Sequence, residues 1–248
     1  MPDPQGSPPD AAATGTLEEG QVRAMFDRIA GLYDLMNTVM TAGLHHKWRR
    51  RAADLANLSP GDRALDVATG TGDLAAELAR RVGPGGEVVG IDFSDEMLVR
   101  ARAKAPNVVF QWGNALELSF ADDSFDAATV GFGARNFADL ERGIAEMARV
   151  VRPGGRVVIL EITTPTRGAL AVFFRLWFDR VVPALGRVMG DRDAYTYLPS
   201  SVRRFPGPAD LAAAMERSGL ERIRYLLTAG GIIALHHGEA RAGSGQGS

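Results

Sequence analysis

Apolar residues in the N-terminal part of the chain recur every three or four positions. Between residues 18 and 58, the side chains that this spacing places on one helical face include Met25, Phe26, Ile29, Leu32 and Tyr33. The sequence SPG at 59–61 then interrupts the pattern, because proline and glycine favour turns. We therefore predict an N-terminal helical cap over residues 17–58.

Short β-branched runs follow, and they alternate with helical patterns. Strand-like runs lie at residues 64–68, 88–92, 108–111, 127–131, 157–161, 223–227 and 231–236, and we predict helices between the first five. This alternation is typical of a parallel sheet with helices on both faces. The last two runs are separated by too few residues for a crossover helix, so they should pair as an antiparallel hairpin. The prediction is an α/β, doubly wound, mostly parallel seven-stranded sheet with an antiparallel end strand.

Composition limits the domain organisation. A chain of 248 residues with 46% hydrophobic content accommodates one α/β domain with appendages. We predict a core over residues 59–238, flanked by disordered segments at 1–16 and 239–248. An insertion at about 163–208 contains an apolar stretch, 169–182, that is too short and too charged to span a bilayer. Either this stretch is a helix packed over the sheet, or it serves as a lid over an apolar substrate or as a membrane-surface contact.

Charge and cysteine content narrow the function classes. The formal net charge of −2 gives no general attraction for nucleic acid, so we do not expect nucleic acid as a partner. The absence of cysteine excludes disulfides, thiolate metal sites and cysteine nucleophiles, and it is compatible with a cytoplasmic location. No spacing of histidines and carboxylates indicates a metal site, so we expect no metal.

The sequence ALDVATGTGDL at 64–74 predicts a strand, a glycine turn and a helix start. Gly70 and Gly72 allow a sharp turn and close approach of a ligand, and the following helix directs free N–H groups at it. Asp92, at the end of the second strand, is placed to accept hydrogen bonds from the hydroxyls of a ribose, since Ser94 is the better helix cap and leaves Asp92 free. This layout indicates a nucleoside-type cofactor.

Two carboxylates flank the glycine turn, and they distinguish between cofactors. Asp66 and Asp73 would repel a pyrophosphate but suit a cationic ligand. S-adenosylmethionine, which carries a sulfonium and an ammonium group, fits this charge pattern. Asp66 either meets the ammonium group or bonds loop N–H groups, and Thr71 either contacts the ligand through its hydroxyl or N–H or simply fits the loop by size.

Several further motifs coincide along residues 20–238. They are FDRIAGLYDLMN at 26–37, GLHHKW at 43–48, DVATGTGD at 66–73, FGARN at 132–136, RPGG at 152–155, YTYLPSSV at 195–202 and LTAGGIIALH at 227–236. Together they resemble the ubiquinone/menaquinone biosynthesis C-methyltransferase family. The resemblance implies a class I methyltransferase-like fold, and transfer of a methyl group from S-adenosylmethionine to a ring carbon of a prenylated quinol, with demethylmenaquinol favoured. The ubiquinone precursor, another lipid or phenolic acceptor, and a non-catalytic cofactor-binding protein remain alternatives.

The resemblance also implies cofactor contacts at Thr71, Asp92, Asn114 and Ala115. Some family members carry a serine where this chain has Gly131, which removes one hydrogen bond. For Asn114 the alternative is a turn-forming role.

Carbon methylation needs an electron-rich ring, so the candidates for catalysis lie where the acceptor should bind. Arg135 and Asn136 follow the fourth strand, and Arg135 is suited to stabilise a developing oxyanion directly or through water. Tyr33 and Asn37, four residues apart, share a helical face, and either they close the pocket over the quinol or Tyr33 is core packing with a satisfied hydroxyl. His45 or His46 is a candidate base, and adjacent positions in a helix allow only one of them to face the site.

One basic run, HHKWRRR at 45–51, stands out in an otherwise balanced chain. It is either a solvated helix face or a patch that attracts anionic lipid headgroups. The second interpretation places the enzyme peripherally at the inner face of the membrane, next to its lipid-dissolved substrate. A homodimer is left open.

Overall fold

The computed structural model describes residues 19–165, 172, 174, 176, 180 and 192–241. In chain order, the helices and strands are α1 (Glu19–Thr41), α2 (Leu44–Leu55), β1 (Arg63–Val67), α3 (Asp73–Val82), β2 (Glu87–Asp92), α4 (Asp95–Lys104), β3 (Val109–Trp112), β4 (Phe125–Gly131), α5 (Leu140–Val150), β5 (Val151–Ile162), α6 (Arg192–Arg204), α7 (Pro208–Arg217), β6 (Leu220–Thr228) and β7 (Ile233–Ala240). Short 3₁₀ turns lie at Ala134–Asn136 and Ala229–Gly231.

The seven strands form one sheet in the order β3-β2-β1-β4-β5-β7-β6. β1 to β5 pair in parallel, whereas β7 pairs antiparallel to both β5 and β6. The predicted doubly wound sheet and the final hairpin are confirmed. The reversed strand is the last in the chain, and it lies between β5 and β6, so that β6 forms the edge.

Neighbouring residues of each buried strand supply the two faces of the sheet. Ala64 faces the cluster built from α2, α3 and α4, while Leu65 faces the cluster built from α5 and α7. Val157 and Val158 divide in the same way in β5. Burial on both faces explains why these strands are continuous apolar runs without polar alternation. The order reverses between β1 and β4, so the carboxyl ends of these strands border the crevice in which such sheets bind ligands.

The predicted single helical cap is two helices. Ala42 and Gly43 adopt positive φ values of 48° and 75°, which end α1 and begin α2 in a new direction. Glycine accepts this left-handed conformation without a steric penalty, whereas alanine is strained in it. Gly43 is itself a typical helix-ending residue, so the position of the break is marked in the sequence although the predicted cap ran through it.

The helix predicted between β3 and β4 is absent from the described residues 113–124. Asn114 and Glu117 form an isolated bridge there, and Leu118 is buried beneath α5. The Arg149 guanidinium donates hydrogen bonds to the carbonyls of Leu118 and Phe120, both at 2.9 Å. A side chain from a distant helix thus satisfies backbone groups that a local helix would otherwise satisfy.

Two predicted strand boundaries differ most from the structure. β5 begins at Val151 and not at residue 157, with an irregularity in its register beside β4. β7 continues to Ala240, into the predicted tail 239–248, because Glu239 pairs with Arg156 at 3.1 Å and Arg222 at 2.7 Å. The predicted disordered segment 1–16 and residues 242–248 lie outside the described residues. So does most of the apolar stretch 169–182, whereas the later part of the insertion forms α6.

Candidate functional site

The loop between β1 and α3 depends on two glycines. Gly70 and Gly72 have φ values of 56° and 82°, a region that favours glycine. A Cβ at Gly72 would lie 2.8 Å from Phe110 Cζ, so the protein core leaves no space for a side chain there. A Cβ at Gly70 would meet no protein atom within 4 Å. Gly70 therefore borders open space where a ligand can approach the backbone.

Asp92 is held at the end of β2 by two backbone N–H groups. Its carboxylate accepts hydrogen bonds from Gly70 N at 2.8 Å and from Ser94 N at 2.9 Å. Ser94 caps α4, as predicted, by accepting from Met97 N. The expectation that this cap leaves Asp92 free was wrong, because the carboxylate is also the clamp of the glycine loop. Each carboxylate oxygen keeps a further lone pair for a ligand.

Asp66 lies at the floor of the same site. It accepts hydrogen bonds from the Thr69 hydroxyl at 2.6 Å and the Thr129 hydroxyl at 2.7 Å, and the backbone N–H of Ala75, in the first turn of α3, also bonds to it. Burial raises the pKa of Asp66 to about 6, and it raises the pKa of Asp92 to about 6 as well. Both carboxylates thus gain from a ligand that neutralises them.

The Thr71 hydroxyl is already engaged within the protein. It donates to Asp34 of α1 at 2.6 Å and accepts from Lys104 Nζ at 3.0 Å. The hydroxyl is thus occupied by protein partners, while Thr71 still lines the site, where contact through its hydroxyl or its N–H stays a prediction. Its observed contacts fasten α1 across the glycine loop.

Asp73 does not add free negative charge for a cationic ligand. Lys104 Nζ lies 2.7 Å from its carboxylate, and Arg49 Nη1 lies 3.6 Å away. Although burial raises it, these two cations hold the pKa of Asp73 below its ordinary value. Of the two carboxylates that flank the glycine turn, Asp73 has a cationic partner at hydrogen-bond distance and Asp66 has none.

These groups line a narrow opening that we call the polar cleft. Its wall includes Asp66, Gly70, Thr71, Asp92, Phe93, Asn114, Ala115, Gly131 and Asn136. Asn114 accepts a hydrogen bond from Leu116 N at 2.9 Å, which is the turn-forming role considered from the sequence, and it borders the cleft as well. All of the predicted cofactor residues except Gly72 therefore border the cleft, whereas Gly72 packs against Phe110 behind it. Glycine backbone exposed to open space and two buried carboxylates fit a nucleoside cofactor with a cationic end.

A second, larger opening of about 440 Å³ adjoins the polar cleft, and we call it the apolar cavity. Its apolar wall includes Met25, Ile29, Met36, Met40, Trp48, Ile162, Phe174 and Ile232. Its polar wall includes Tyr33, Asn37, His45, Arg135 and Tyr197. Phe26, Tyr33 and Phe132 line both openings. A ligand in each would therefore meet the other beside Tyr33.

Arg135 is sealed into the wall of the apolar cavity. Its guanidinium donates to Glu161 at 2.7 Å and to the Phe132 carbonyl at 2.6 Å, while its buried Nε has no hydrogen-bond partner. Burial lowers the pKa of this guanidinium, but the Glu161 carboxylate raises it above its ordinary value. Arg135 is thus a fixed cation whose buried Nε is an unused donor.

The catalytic candidates divide between the two openings. Asn136 lines the polar cleft and accepts a hydrogen bond from the Tyr197 hydroxyl at 3.1 Å, whereas Arg135 lines the apolar cavity. Tyr33 lines both openings, and its closing of the pocket over a quinol stays a prediction. Sequence reasoning missed Glu161 and assigned no role to Tyr197. The available signals were a carboxylate at the end of an apolar strand and the YTYLPSSV motif.

The paired histidines face different surroundings, as the sequence predicted. His45 is buried and lines the apolar cavity, while His46 is exposed. Burial and the neighbouring Arg49 guanidinium, which contacts its Nδ1, lower the pKa of His45 to about 4, so the imidazole is neutral at pH 7. Both histidines lie near Asp73, but Arg49 and Lys104 already neutralise that carboxylate, and we assign no metal there.

Comparison with solved structures shows the same fold. An S-adenosylmethionine-dependent methyltransferase from Thermotoga maritima aligns with a TM-score of 0.62 and 19% identity, over 88% of this chain and 99% of that one. The cyclase SpnF aligns with a TM-score of 0.65 and 18% identity, over 91% and 97% of the two chains. Because a cyclase shares this architecture, the fold alone does not define the reaction.

Sequence comparison is more specific. A demethylmenaquinone methyltransferase from Thermus thermophilus is 48% identical over 87% of this chain and 99% of its own length. One from Deinococcus radiodurans is 47% identical, with 90% and 95% coverage. A ubiquinone/menaquinone biosynthesis C-methyltransferase from Teredinibacter turnerae is 40% identical, with 88% and 90% coverage. The family model for the ubiE/COQ5 methyltransferases matches residues 14–240, and the chain therefore belongs to the ubiE/COQ5 methyltransferase family.

Proposed function

We propose that the chain methylates a ring carbon of demethylmenaquinol to form menaquinol. The observation that carries the proposal is the meeting of the polar cleft and the apolar cavity at Tyr33, beside the buried Arg135. The demethylmenaquinone methyltransferases that are 47% and 48% identical support this acceptor. The methyl donor is S-adenosylmethionine, which supplies an electrophilic methyl group when bound, and the methyltransferase family and the solved relatives support it.

The polar cleft supplies the residues that would hold the donor. Asp92 is placed for ribose hydroxyls, Asp66 for a cationic group, and the backbone at Gly70 for close approach. Asn114 and Ala115 border the cleft beyond β3, where a base edge fits. Burial of both carboxylates strengthens each of these interactions, because water competes less for them.

The apolar cavity suits an aromatic ring with a hydrocarbon tail. Its wall is mostly methionine, isoleucine and aromatic surface, and methionine adapts to irregular shapes. The cavity volume of about 440 Å³ lies within the range of small-molecule sites, which is about 300–1,000 Å³. Such a wall also excludes water from the reacting groups, which favours methyl transfer to carbon over transfer to water.

Arg135 provides the electrostatic step. When the quinol releases one hydroxyl proton to solvent, the oxyanion pushes negative charge onto the neighbouring ring carbon, and a fixed donor nearby stabilises the oxyanion. That carbon bonds to the methyl group as the methyl carbon–sulfur bond breaks and a neutral thioether leaves. The same ring carbon then loses its hydrogen as a proton, and the ring becomes aromatic again. The Arg135 Nε is such a donor, because it is buried without a partner while Glu161 and the Phe132 carbonyl hold Nη1 of the same guanidinium. Tyr33, shared by both openings, orders the contact between ring and donor.

The test is a kinetic comparison of Arg135 variants on a short-chain demethylmenaquinol. We expect Arg135→Gln to lower kcat by about 100-fold or more, in line with the loss of one oxyanion donor, while donor affinity stays unchanged. Arg142→Gln, an exposed arginine on α5, is the matched control and should keep full activity. Unchanged kcat in Arg135→Gln would overturn this role. Running the ubiquinone precursor beside demethylmenaquinol identifies the preferred acceptor.

We further propose that the mouth of the apolar cavity contacts an anionic membrane surface. Val39 and Leu44 line the cavity and are 62% and 49% exposed, so apolar surface continues from the cavity to the outside. Lys47, Arg50 and Arg51 are exposed on the same helix as Leu44. Apolar and basic groups together favour an anionic lipid interface. No helix among the described residues is long and apolar enough to cross a bilayer.

Vesicle co-sedimentation tests the membrane contact. Phosphatidylglycerol vesicles should retain the protein, neutral phosphatidylcholine vesicles should retain less, and replacing Lys47, Arg50 and Arg51 by glutamine should remove the difference. A charge-matched control replaces Arg63, Arg152 and Arg222, which are exposed near the amino ends of strands and away from the site edge. Equal loss of vesicle binding in both triple variants would show that net charge alone governs binding, and it would contradict a specific contact at the cavity mouth.

A further inference from the structure

Tyr197 is a buried polar residue that the proposed chemistry leaves unused. It lies in α6, is 6% exposed and packs against Val22, Met25 and Ile29 of α1. The Arg204 guanidinium lies 5.9 Å from its ring centroid. In these surroundings a phenylalanine would fill the same space without the unfavourable desolvation of a hydroxyl. The hydroxyl therefore calls for an explanation beyond packing.

The hydrogen bond of Tyr197 crosses the wall between the two openings. Its hydroxyl donates to Asn136 Oδ1 at 3.1 Å, and Tyr197 lines the apolar cavity while Asn136 lines the polar cleft. A side-chain amide carries one acceptor oxygen and two N–H donors. Because the oxygen is engaged by Tyr197, the orientation of the amide is fixed and its N–H donors are left for other partners.

We infer that Tyr197 is a positioning residue for methyl transfer, which acts by orienting the Asn136 amide as a donor toward the acceptor oxygen. The inference rests on the proposed function. Arg135 precedes Asn136 in the same 3₁₀ turn, so one short segment carries both donors to the place where the openings meet. Without the Tyr197 hydroxyl, the amide rotates between two orientations, and only one of them presents its N–H groups correctly.

Tyr197→Phe removes the hydroxyl and keeps the ring that packs against α1. We expect kcat to fall by about tenfold, the size of one lost hydrogen bond to a developing charge. The Kd of the methyl donor, and the Kd of the oxidised quinone, which does not turn over, should stay within about twofold of wild type, because Tyr197 acts on the transition state and not on ground-state binding. Tyr225→Phe, at a tyrosine stacked on His236 in the outer strands, is the matched control.

A double-mutant cycle separates positioning from packing. The rate of single-turnover transfer of a labelled methyl group is measured with Tyr197→Phe added to Asn136→Ala and to Asn136→Ser. In both backgrounds we expect Tyr197→Phe to change this rate by less than about twofold, because the amide that Tyr197 orients is no longer present. A tenfold loss of rate from Tyr197→Phe in every background would overturn the inference. A Tyr197→Phe variant that keeps the full kcat of an active wild-type enzyme would overturn it as well. A wild-type protein that methylates no quinol overturns the proposed function and this inference with it.

Discussion

The Arg135 guanidinium lies 2.7 Å from the Glu161 carboxylate, and the two side chains are only 7% and 1% exposed. An isolated buried cation is very unfavourable, so Glu161 at the end of β5 is what allows a permanent charge beside the apolar cavity. The pair also fixes the direction of the remaining Nε donor. Stability and catalysis therefore depend on the same contact.

Glu161→Gln should destabilise the fold and impair catalysis together. It leaves the buried Arg135 without its counter-charge, and breaking such a pair lowers the free energy of unfolding by about 3–5 kcal/mol. Urea denaturation measures this loss. Glu146→Gln, at a partly exposed ion pair with Arg149, is the control and should lose no more than about 1 kcal/mol. Equal losses in both variants would show that burial does not govern the Arg135 pair.

Affinity for the methyl donor should fall as the pH is lowered through about 6. Burial raises the pKa of both Asp66 and Asp92 to about 6, so both are ionised above that pH and become protonated below it. Only the ionised forms accept hydrogen bonds from a ribose or an ammonium group with full strength. Calorimetric Kd values from pH 5 to pH 8 test this prediction, and a flat profile would contradict it.

Asp92→Asn should weaken donor binding at pH 7.5 and make the pH dependence shallower. One of the two titrating carboxylates is then gone, while Asp66 still titrates near pH 6. The variant should also loosen the glycine loop. Gly70 N and Ser94 N both donate to the Asp92 carboxylate, whereas the NH₂ group of an asparagine would face one of these N–H donors and could not accept from it. Glu87→Gln, at the exposed start of β2, is the control and should keep wild-type affinity and pH dependence.

The two loop glycines should fail in different ways. Gly72→Ala places a Cβ 2.8 Å from Phe110, so it should lower the free energy of unfolding by about 2–4 kcal/mol through strain and overpacking. Gly70→Ala meets no protein atom and should lose only about 1–2 kcal/mol, from its positive φ. Its methyl group nevertheless occupies the space of the ligand.

Donor affinity measured beside thermal unfolding distinguishes the two variants. Gly70→Ala should bind the methyl donor at least about tenfold more weakly while remaining folded, since a steric conflict of this size removes more than 1.4 kcal/mol. If Gly70→Ala bound the donor with wild-type affinity, the placement of the ligand against this backbone would be wrong.

Local patterns in the sequence predicted the fold because the buried strands and amphipathic helices carry their periodicity within a few residues. Gly70, Gly72 and Asp92 were identifiable for the same reason, since a strand, turn and helix in succession place them. The break at Ala42 and Gly43 has a weaker local signal, because a single glycine within a helical pattern ends some helices and is tolerated in others. The non-helical conformation of the segment after β3 depends on hydrogen bonds from Arg149, about 30 residues away, and no local pattern reveals such a partner.

Charge relationships at the site were the least predictable part. The sequence shows Asp73, Thr71 and Arg135, but the partners that change their roles come from other elements: Lys104 from α4, Asp34 from α1 and Glu161 from β5. Each contact joins residues at least 26 positions apart. Whether a carboxylate is free for a ligand is thus a property of the folded chain.

The most direct measurement follows a ¹³C-labelled methyl group from S-adenosylmethionine to a short-chain demethylmenaquinone analogue, with and without a chemical reductant. We expect label on a ring carbon only when the reductant supplies the quinol, and at least about 100-fold less label with Arg135→Gln. Label on an oxygen atom, equal labelling without reductant, or no labelling despite donor binding would contradict C-methylation of a quinol ring.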